Sequence, residues 1–229
     1  LVALSHALFN TGAIIPVEKI GKILSEKSIP YFVDAAQTVG CIDDIDVNKI
    51  NCNFMSFNGS KWLCGPMGMG IFFCRKDSSD LIEPIQVGGE SAIFHEDKIV
   101  HKEMPARFQA GFRNWSGVAG LEASIVYLKK IGISSIRKKN LKLANLLRQE
   151  ISKINGAVLY GPEEEERRTS IVSFSIQGQD SKTLVTRLEK ENIVLAVRDI
   201  FSKKIVRASP HFFNTESEIH AVVNAIKRG

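Results

Sequence analysis

The chain has 229 residues, 44% of them hydrophobic, and carries 30 Lys and Arg against 25 Asp and Glu for a formal net charge of +5. That is chain enough for one large domain or two small ones with a substantial core. The basic residues are spread along the sequence and interleaved with acids, which argues against nucleic-acid binding, and the longest apolar runs are far shorter than a membrane span, so a cytoplasmic protein is expected.

In chain order, Leu1-Val2-Ala3-Leu4 reads as a strand, with Ser5 to Gly12 as the loop after it. Pro16 near the start and an apolar face of Ile20, Ile23 and Leu24 predict a helix from about Ile15 to Lys27. Ile29 to Val33 is a short buried strand that ends in Asp34 and continues as Ala35-Ala36-Gln37-Thr38-Val39-Gly40. Strand, helix and strand in succession predict a parallel sheet, and an acid at the carboxyl end of such a strand faces the crevice where ligands bind. Asp43, Asp44 and Asp46 read as a solvated acidic turn, although Asp46 can also open a short helix.

Phe54-Met55-Ser56-Phe57 predicts a further strand, Asn58-Gly59-Ser60-Lys61 a polar turn of small residues, and Gly70 to Cys74 the next strand. A lysine in that turn is expected to be sheltered yet accessible. Burial lowers a lysine's pKa and frees a neutral amine to form a Schiff base with a carbonyl. The plainer alternative is a surface lysine in a Gly-rich hairpin. Four cysteines, Cys41, Cys52, Cys64 and Cys74, stand singly beside apolar sequence, and the five histidines show no ligand spacing, so reduced thiols and no metal site are expected.

The segment from Gln86 to Pro105 is poorly periodic and predicts an extended loop. Trp115 to Lys130 predicts a helix with Ala119, Ala123, Val126 and Tyr127 on one stripe, and Ile133 to Ile154 a longer one stopped by Asn155-Gly156. Strands follow at Ala157 to Tyr160 and Ser170 to Ile176, a helix at Thr183 to Lys190, and strands at Ile193 to Val197 and Ile205 to Arg207. Thr215 and Glu218 have the spacing of a capping box and open the last helix.

Three stretches stand in an order that resembles the class V aminotransferase family of pyridoxal-phosphate enzymes, which includes cysteine desulfurases and isopenicillin N epimerase. They are Asp34-Ala35-Ala36-Gln37-Thr38-Val39-Gly40, the Lys61 turn running into Gly65-Pro66-Met67-Gly68-Met69-Gly70, and Arg207-Ala208-Ser209-Pro210-His211-Phe212-Phe213-Asn214-Thr215. The resemblance implies an α/β fold of the type I pyridoxal-phosphate-dependent transferases. Residues 1–115 would belong to a large domain with a mainly parallel sheet, 116–132 to a linking helix and 133–229 to a smaller α+β carboxy-terminal domain, with a further amino-terminal part carrying a phosphate-binding loop. It implies pyridoxal phosphate as cofactor, Lys61 as Schiff-base lysine, Asp34 as partner of the ring nitrogen, and Gln37 as donor to the phenolic oxygen. Asn58 and Ser60 are implied as phosphate donors and His6 as a further cofactor contact. Arg207 would clamp the substrate α-carboxylate or, alternatively, form a structural ion pair; Arg198 and Asn10 are further substrate-binding candidates. The relatives share active sites across a homodimer, which is therefore expected here.

Departures from the family pattern are specific. Asn58 and Ser60 stand where desulfurases have serine and histidine, and Asn10 lies one position late for its role, so that it can equally be a turn residue. Phe112 replaces a threonine that reaches the neighbouring subunit's cofactor, leaving Arg113 to supply charge there or to form a surface ion pair. Asp199 to Lys204, where desulfurases carry the sulfur-accepting thiol, has no cysteine, and Cys64, in an apolar turn, is expected to be a poor nucleophile with a raised pKa. The expectation is an enzyme acting at Cα of an amino acid as an aminotransferase, epimerase or lyase. A cysteine desulfurase and a non-catalytic relative are the alternatives.

Overall fold

The computed structural model describes residues 1–228. Strands β1 (Val2–Ser5), β2 (Tyr31–Asp34), β3 (Phe54–Asn58) and β4 (Gly70–Cys74) form a first sheet in that order. The first three run parallel, with Ser5 opposite Asp34 and Asp34 opposite Ser56, and β4 returns antiparallel to β3. The mainly parallel sheet is thus present. Parallel strands share one carboxyl edge, so Ser5, Asp34 and Asn58 end on the same side of the sheet.

Helix α1 (Val17–Glu26) connects β1 to β2 and buries Val17, Gly21 and Leu24, while Ile23, expected on its inner face, is 54% exposed. The short α2 (Val47–Ile50) starts on Asp46, whose carboxylate accepts the Asn48 N–H. Tyr31, Val33, Ile50, Cys52 and Met55 fill the core under these elements.

Residues 86–105 are not the extended loop that the sequence predicts. Strands β5 (Ala92–His95) and β6 (Lys98–His101) pair as an antiparallel hairpin around Glu96-Asp97. Ile-Phe-His before the turn and Ile-Val-His after it are the β-branched and aromatic signal for such a pair, masked in the sequence by the flanking glycines and charges.

Helix α3 (Trp115–Ile131) is capped by Asn114, which accepts the Gly117 N–H, and ends at Gly132, whose φ of +89° stops it before α4 (Ile133–Ser152). Its buried face is Gly117, Leu121 and Leu128, whereas Ala119, Ala123, Val126 and Tyr127 all face outward. The choice of face is tertiary: Leu121 and Leu128 pack with Leu63 beside the lysine turn and with Ile136 of α4.

The remainder is a second sheet, β7-β8-β10-β9, built from β7 (Ala157–Tyr160), β8 (Val172–Ile176), β9 (Ala196–Ile200) and β10 (Lys203–Ala208), antiparallel throughout. α4, α5 (Ser181–Glu189) and α6 (Glu216–Lys227) accompany it. Leu147, Ile151, Phe174, Leu188 and Ile226 are the centre of its core, each contributing about 1.5–3 kcal/mol by burial. Thr215 and Glu218 form the capping box of α6. Strand β9 begins three residues later than predicted, for a local reason. After α5 the Ile193 N–H bonds back to the Leu188 carbonyl and the Asn192 N–H to that of Glu189, with Asn192 left-handed at φ +60°. This is a Schellman termination, and it uses Ile193 as its apolar cap, so the run Ile193-Val194-Leu195 closes a helix before it can open a strand.

Candidate active site

Between the carboxyl edge of the first sheet and β9–β10 of the second lies a cleft of about 330 Å³. Gln37, Lys61 and Trp62 line it from one side, and Arg198, Arg207 and His211 from the other, with Phe9 at one end. Lys61 follows β3 in a tight turn closed by Gly65 N–H to Gly59 C=O at 2.8 Å and Gly59 N–H to Met69 C=O at 2.8 Å. The Ser124 hydroxyl of α3 donates to the Leu63 carbonyl and ties that turn down from behind. Lys61 itself is exposed, which corrects the expectation of a sheltered lysine: the turn presents the side chain to the open cleft instead of packing it.

Gln37 sits on the turn after β2. Its Oε1 accepts the Trp62 indole N–H at 3.1 Å, so the amide oxygen is committed and the NH₂ remains the donor on a residue that lines the cleft. Trp62 is 4% exposed and stacks on His211 at 4.9 Å, and His211 stacks in turn on Phe213 at 4.4 Å. The His211 Nδ1 accepts the Phe212 N–H at 3.0 Å, which places the proton of the neutral ring on Nε2, 3.7 Å from Cys64 Sγ. Burial pulls the pKa of His211 down to about 4, so the ring is neutral at neutral pH. Cys64 is exposed, and desolvation raises its thiol pKa, as expected.

Strand register places the two arginines. Arg198 is opposite Ile205 and Arg207 opposite Ala196, so both lie on one face of the sheet at diagonal positions. Arg207 Nη1 donates to the Phe9 carbonyl at 2.9 Å while its Nε is buried without a partner. Desolvation, and after it the charge of Arg198, lowers the Arg207 pKa. Arg198 Nη1 donates to the Val197 carbonyl at 2.7 Å, and the adjacent Asp199 pairs with Lys204 at 3.2 Å. Among the described residues no carboxylate lies within ion-pairing distance of Lys61, Arg198 or Arg207.

The other predicted site residues divide. Asp34 ends β2 at the same sheet edge, its carboxylate accepting the Ala36 N–H at 2.9 Å and the Ser5 hydroxyl at 3.3 Å. Asn58 and Ser60 flank the lysine turn, and Asn58 Oδ1 is buried without a partner. His6 departs from expectation. It is buried in a different cleft, lined by Ile14, Ile15 and Ile42 together with Glu18, Asp43 and Asp44, although its N–H still continues the β1–β2 ladder to the Asp34 carbonyl at 2.8 Å. Asn10 donates to the Asp199 carbonyl at 3.2 Å, tethering the β9–β10 hairpin, and it is its neighbour Phe9 that lines the cleft. Arg113 pairs with Glu90 at 3.6 Å and lies over the Trp115 ring at 5.4 Å, the ion-pair alternative for that residue. Sequence reading missed Trp62 and His211 as cleft residues. The signal for them was their position, each inside a stretch already singled out, beside Lys61 and four residues after Arg207.

A family model for class V aminotransferases matches residues 1–222. The chain belongs to the class V aminotransferase family. Within it, the chain is 34% identical over 96% of its length to a probable cysteine desulfurase of Methanothermobacter thermautotrophicus and 31% identical over 99% to one of Pyrococcus abyssi. It spans 58% and 59% of those two relatives. The apo structure of the cysteine desulfurase of Thermococcus onnurineus NA1 superposes with a TM-score of 0.93 at 28% identity, covering 99% of this chain and 59% of that one. The cystine C-S lyase C-DES shares the fold, with a TM-score of 0.85 at 24% identity. Among the described residues no helix is long and apolar enough to cross a membrane, and no cluster of His, Cys, Asp and Glu is placed to hold a metal.

Proposed function

We propose that this chain carries the lysine-bearing part of a pyridoxal-phosphate site that acts at Cα of an amino acid. The observation that carries the reading is the convergence of Lys61, Gln37 and Arg207 on one cleft whose cations have no carboxylate partner. Such a donor set suits a ligand that presents a carbonyl, a phenolic oxygen and a phosphate, and the orphaned Arg207 Nε suits an incoming carboxylate. When bound, pyridoxal phosphate supplies an electron sink for the bonds of Cα. Lys61 would hold the cofactor through its amine and is placed to carry a proton to or from Cα. Gln37, oriented by Trp62, would donate to the phenolic oxygen, and Asp34, held by Ser5 and Ala36, would partner the ring nitrogen. Asn58 and Ser60 donate to the phosphate, and Arg207 clamps the α-carboxylate. In this reading residues 1–115 bind cofactor, 116–132 link, and 133–229 form a small domain that brings Arg207 to the cleft, in a homodimer with shared sites.

A cysteine desulfurase is the second reading, favoured by the names of the Methanothermobacter thermautotrophicus and Pyrococcus abyssi relatives. Against a persulfide on this chain stands the β9–β10 hairpin, whose residues 199–204, the turn and the strand ends around it, contain no cysteine.

Incubation of the chain with pyridoxal phosphate, reduction with borohydride and peptide mapping tests the proposal. The reduced pyridoxyl group is expected on Lys61 alone. Label spread evenly over surface lysines, or none, would return the chain to the non-catalytic alternative. Trp62→Phe refines the test, because it keeps a ring against His211 and deletes only the donor to Gln37. Cofactor capture is expected to weaken by about threefold to tenfold, the worth of one hydrogen bond, with the thermal midpoint nearly unchanged. Capture unchanged in Trp62→Phe, with stability lost mainly in Trp62→Ala, would make Trp62 a packing residue only.

A further inference from the structure

Arg207 accounts for one carboxylate, and Arg198 is left over. Its guanidinium gives a single hydrogen bond, to the carbonyl of its own neighbour Val197, and its remaining donors have no acceptor among the described residues. Asp199, the nearest acid in sequence, is taken up by Lys204. Arg198 is half-buried, faces the same cleft as Arg207, and shares its face of the sheet at the diagonal position. At diagonal positions two long cationic side chains are still within reach of each other, and nothing in the packing of β9 and β10 calls for the second. Its sense is in what enters between the two.

We infer that Arg198 is a specificity-determining residue that binds a second anionic group, so that the cleft is matched to an amino acid whose side chain ends in an acid. This rests on the proposed function for the identity of the first group, the α-carboxylate on Arg207. The bidentate geometry of guanidinium toward carboxylate favours arginine over lysine for both places. A neutral side chain would leave Arg198 desolvated and unpaired, which discriminates against it more strongly than lost attraction alone.

The test needs no cofactor. Isothermal titration of the full cofactor-free chain with succinate and glutarate, against butyrate as the monoacid, is expected to show the diacids bound about tenfold tighter or more. In Arg198→Gln the preference is expected to fall to about twofold, and in Arg198→Lys, which keeps the charge, to persist in part. Diacids bound no better than butyrate would overturn the inference, as would loss of the preference in Arg198→Lys to the extent seen in Arg198→Gln. A loss of inorganic phosphate binding in Arg198→Gln equal to the loss for succinate would likewise overturn it, since the site would then be a general anion site. Failure of borohydride labelling with the diacid preference intact would remove the proposed function and leave the assignment of Arg198 standing.

Discussion

Gly40→Ala is expected to cost the chain about 3–5 kcal/mol of stability and to prevent covalent capture of a cofactor at Lys61. Two independent penalties fall on this position. The backbone at Gly40 has a φ of +95°, which an L side chain rarely adopts. A Cβ there would also stand 2.7 Å from the Trp62 carbonyl oxygen, 2.8 Å from its carbon and 3.0 Å from the Leu63 nitrogen. All three are backbone atoms, so no rotamer change relieves the contact. Relief requires moving the segment that begins at Lys61, or the turn that carries Gln37, and both line the cleft. Gly111→Ala is the control: no heavy atom lies within 4 Å of the added carbon and the φ is ordinary. Urea unfolding followed by circular dichroism gives the free energies. A loss for Gly40→Ala below about 1 kcal/mol, within the range of ordinary surface substitutions, would show that the contact between the two turns is loose.

That contact explains why part of the site was legible in the sequence and part was not. Asp34, Gln37, Gly40 and Lys61 belong to stretches whose local chemistry is unusual: an acid ending an apolar strand, small residues after it, and glycines around a lysine. Their pattern names them without a structure, and it also implies a parallel sheet, since strand, helix and strand follow in turn. What completes the cleft is long-range. The Trp62 indole meets the Gln37 amide from 25 residues away, and the His211 ring is stacked on Trp62 across the gap between two sheets. In sequence Trp62 is merely an apolar residue after a lysine, and His211 a histidine after a proline. His6 shows the opposite error. It stands beside Ser5 at the end of β1, but its ring lies in a cleft that Lys61 does not line. The exposure of Lys61 and the outward stripe of α3 are of the same kind, because a helical period or a glycine-rich turn does not state which face the neighbours will cover.

Acid sensitivity is the second large effect, and it comes from two histidines that are buried neutral. Stability is expected to fall as the pH is lowered from about 6.5 to about 4. His6 and His211 have an ordinary value of 6.5, and burial lowers both to about 4 in the folded chain. Between those two values the unfolded chain binds protons that the folded chain refuses, so acidification favours unfolding throughout the window and the loss saturates once the folded rings also protonate. After allowance for the solvent that still reaches each ring, the loss is about 2 kcal/mol per histidine. Asp180, Glu216 and Glu218 titrate below their ordinary values, held down by hydrogen bonds to Thr183, Lys142 and Thr215 respectively, so their stabilisation is lost only at the acid end of the range. Urea midpoints measured from pH 7 to pH 5 therefore isolate the imidazoles. His211→Gln and His6→Gln are each expected to remove about half of the slope, and an unchanged slope in both would refute the assignment. The two protonations differ in their effect on the cleft. A charge on His6 sits in a pocket that Glu18, Asp43 and Asp44 also line and Lys61 does not, whereas a charge on His211 sets a further cation beside Lys61, Arg198 and Arg207 and against the Trp62 ring that holds Gln37. Cofactor capture measured over the same pH range should thus follow His211 and be indifferent to His6→Gln.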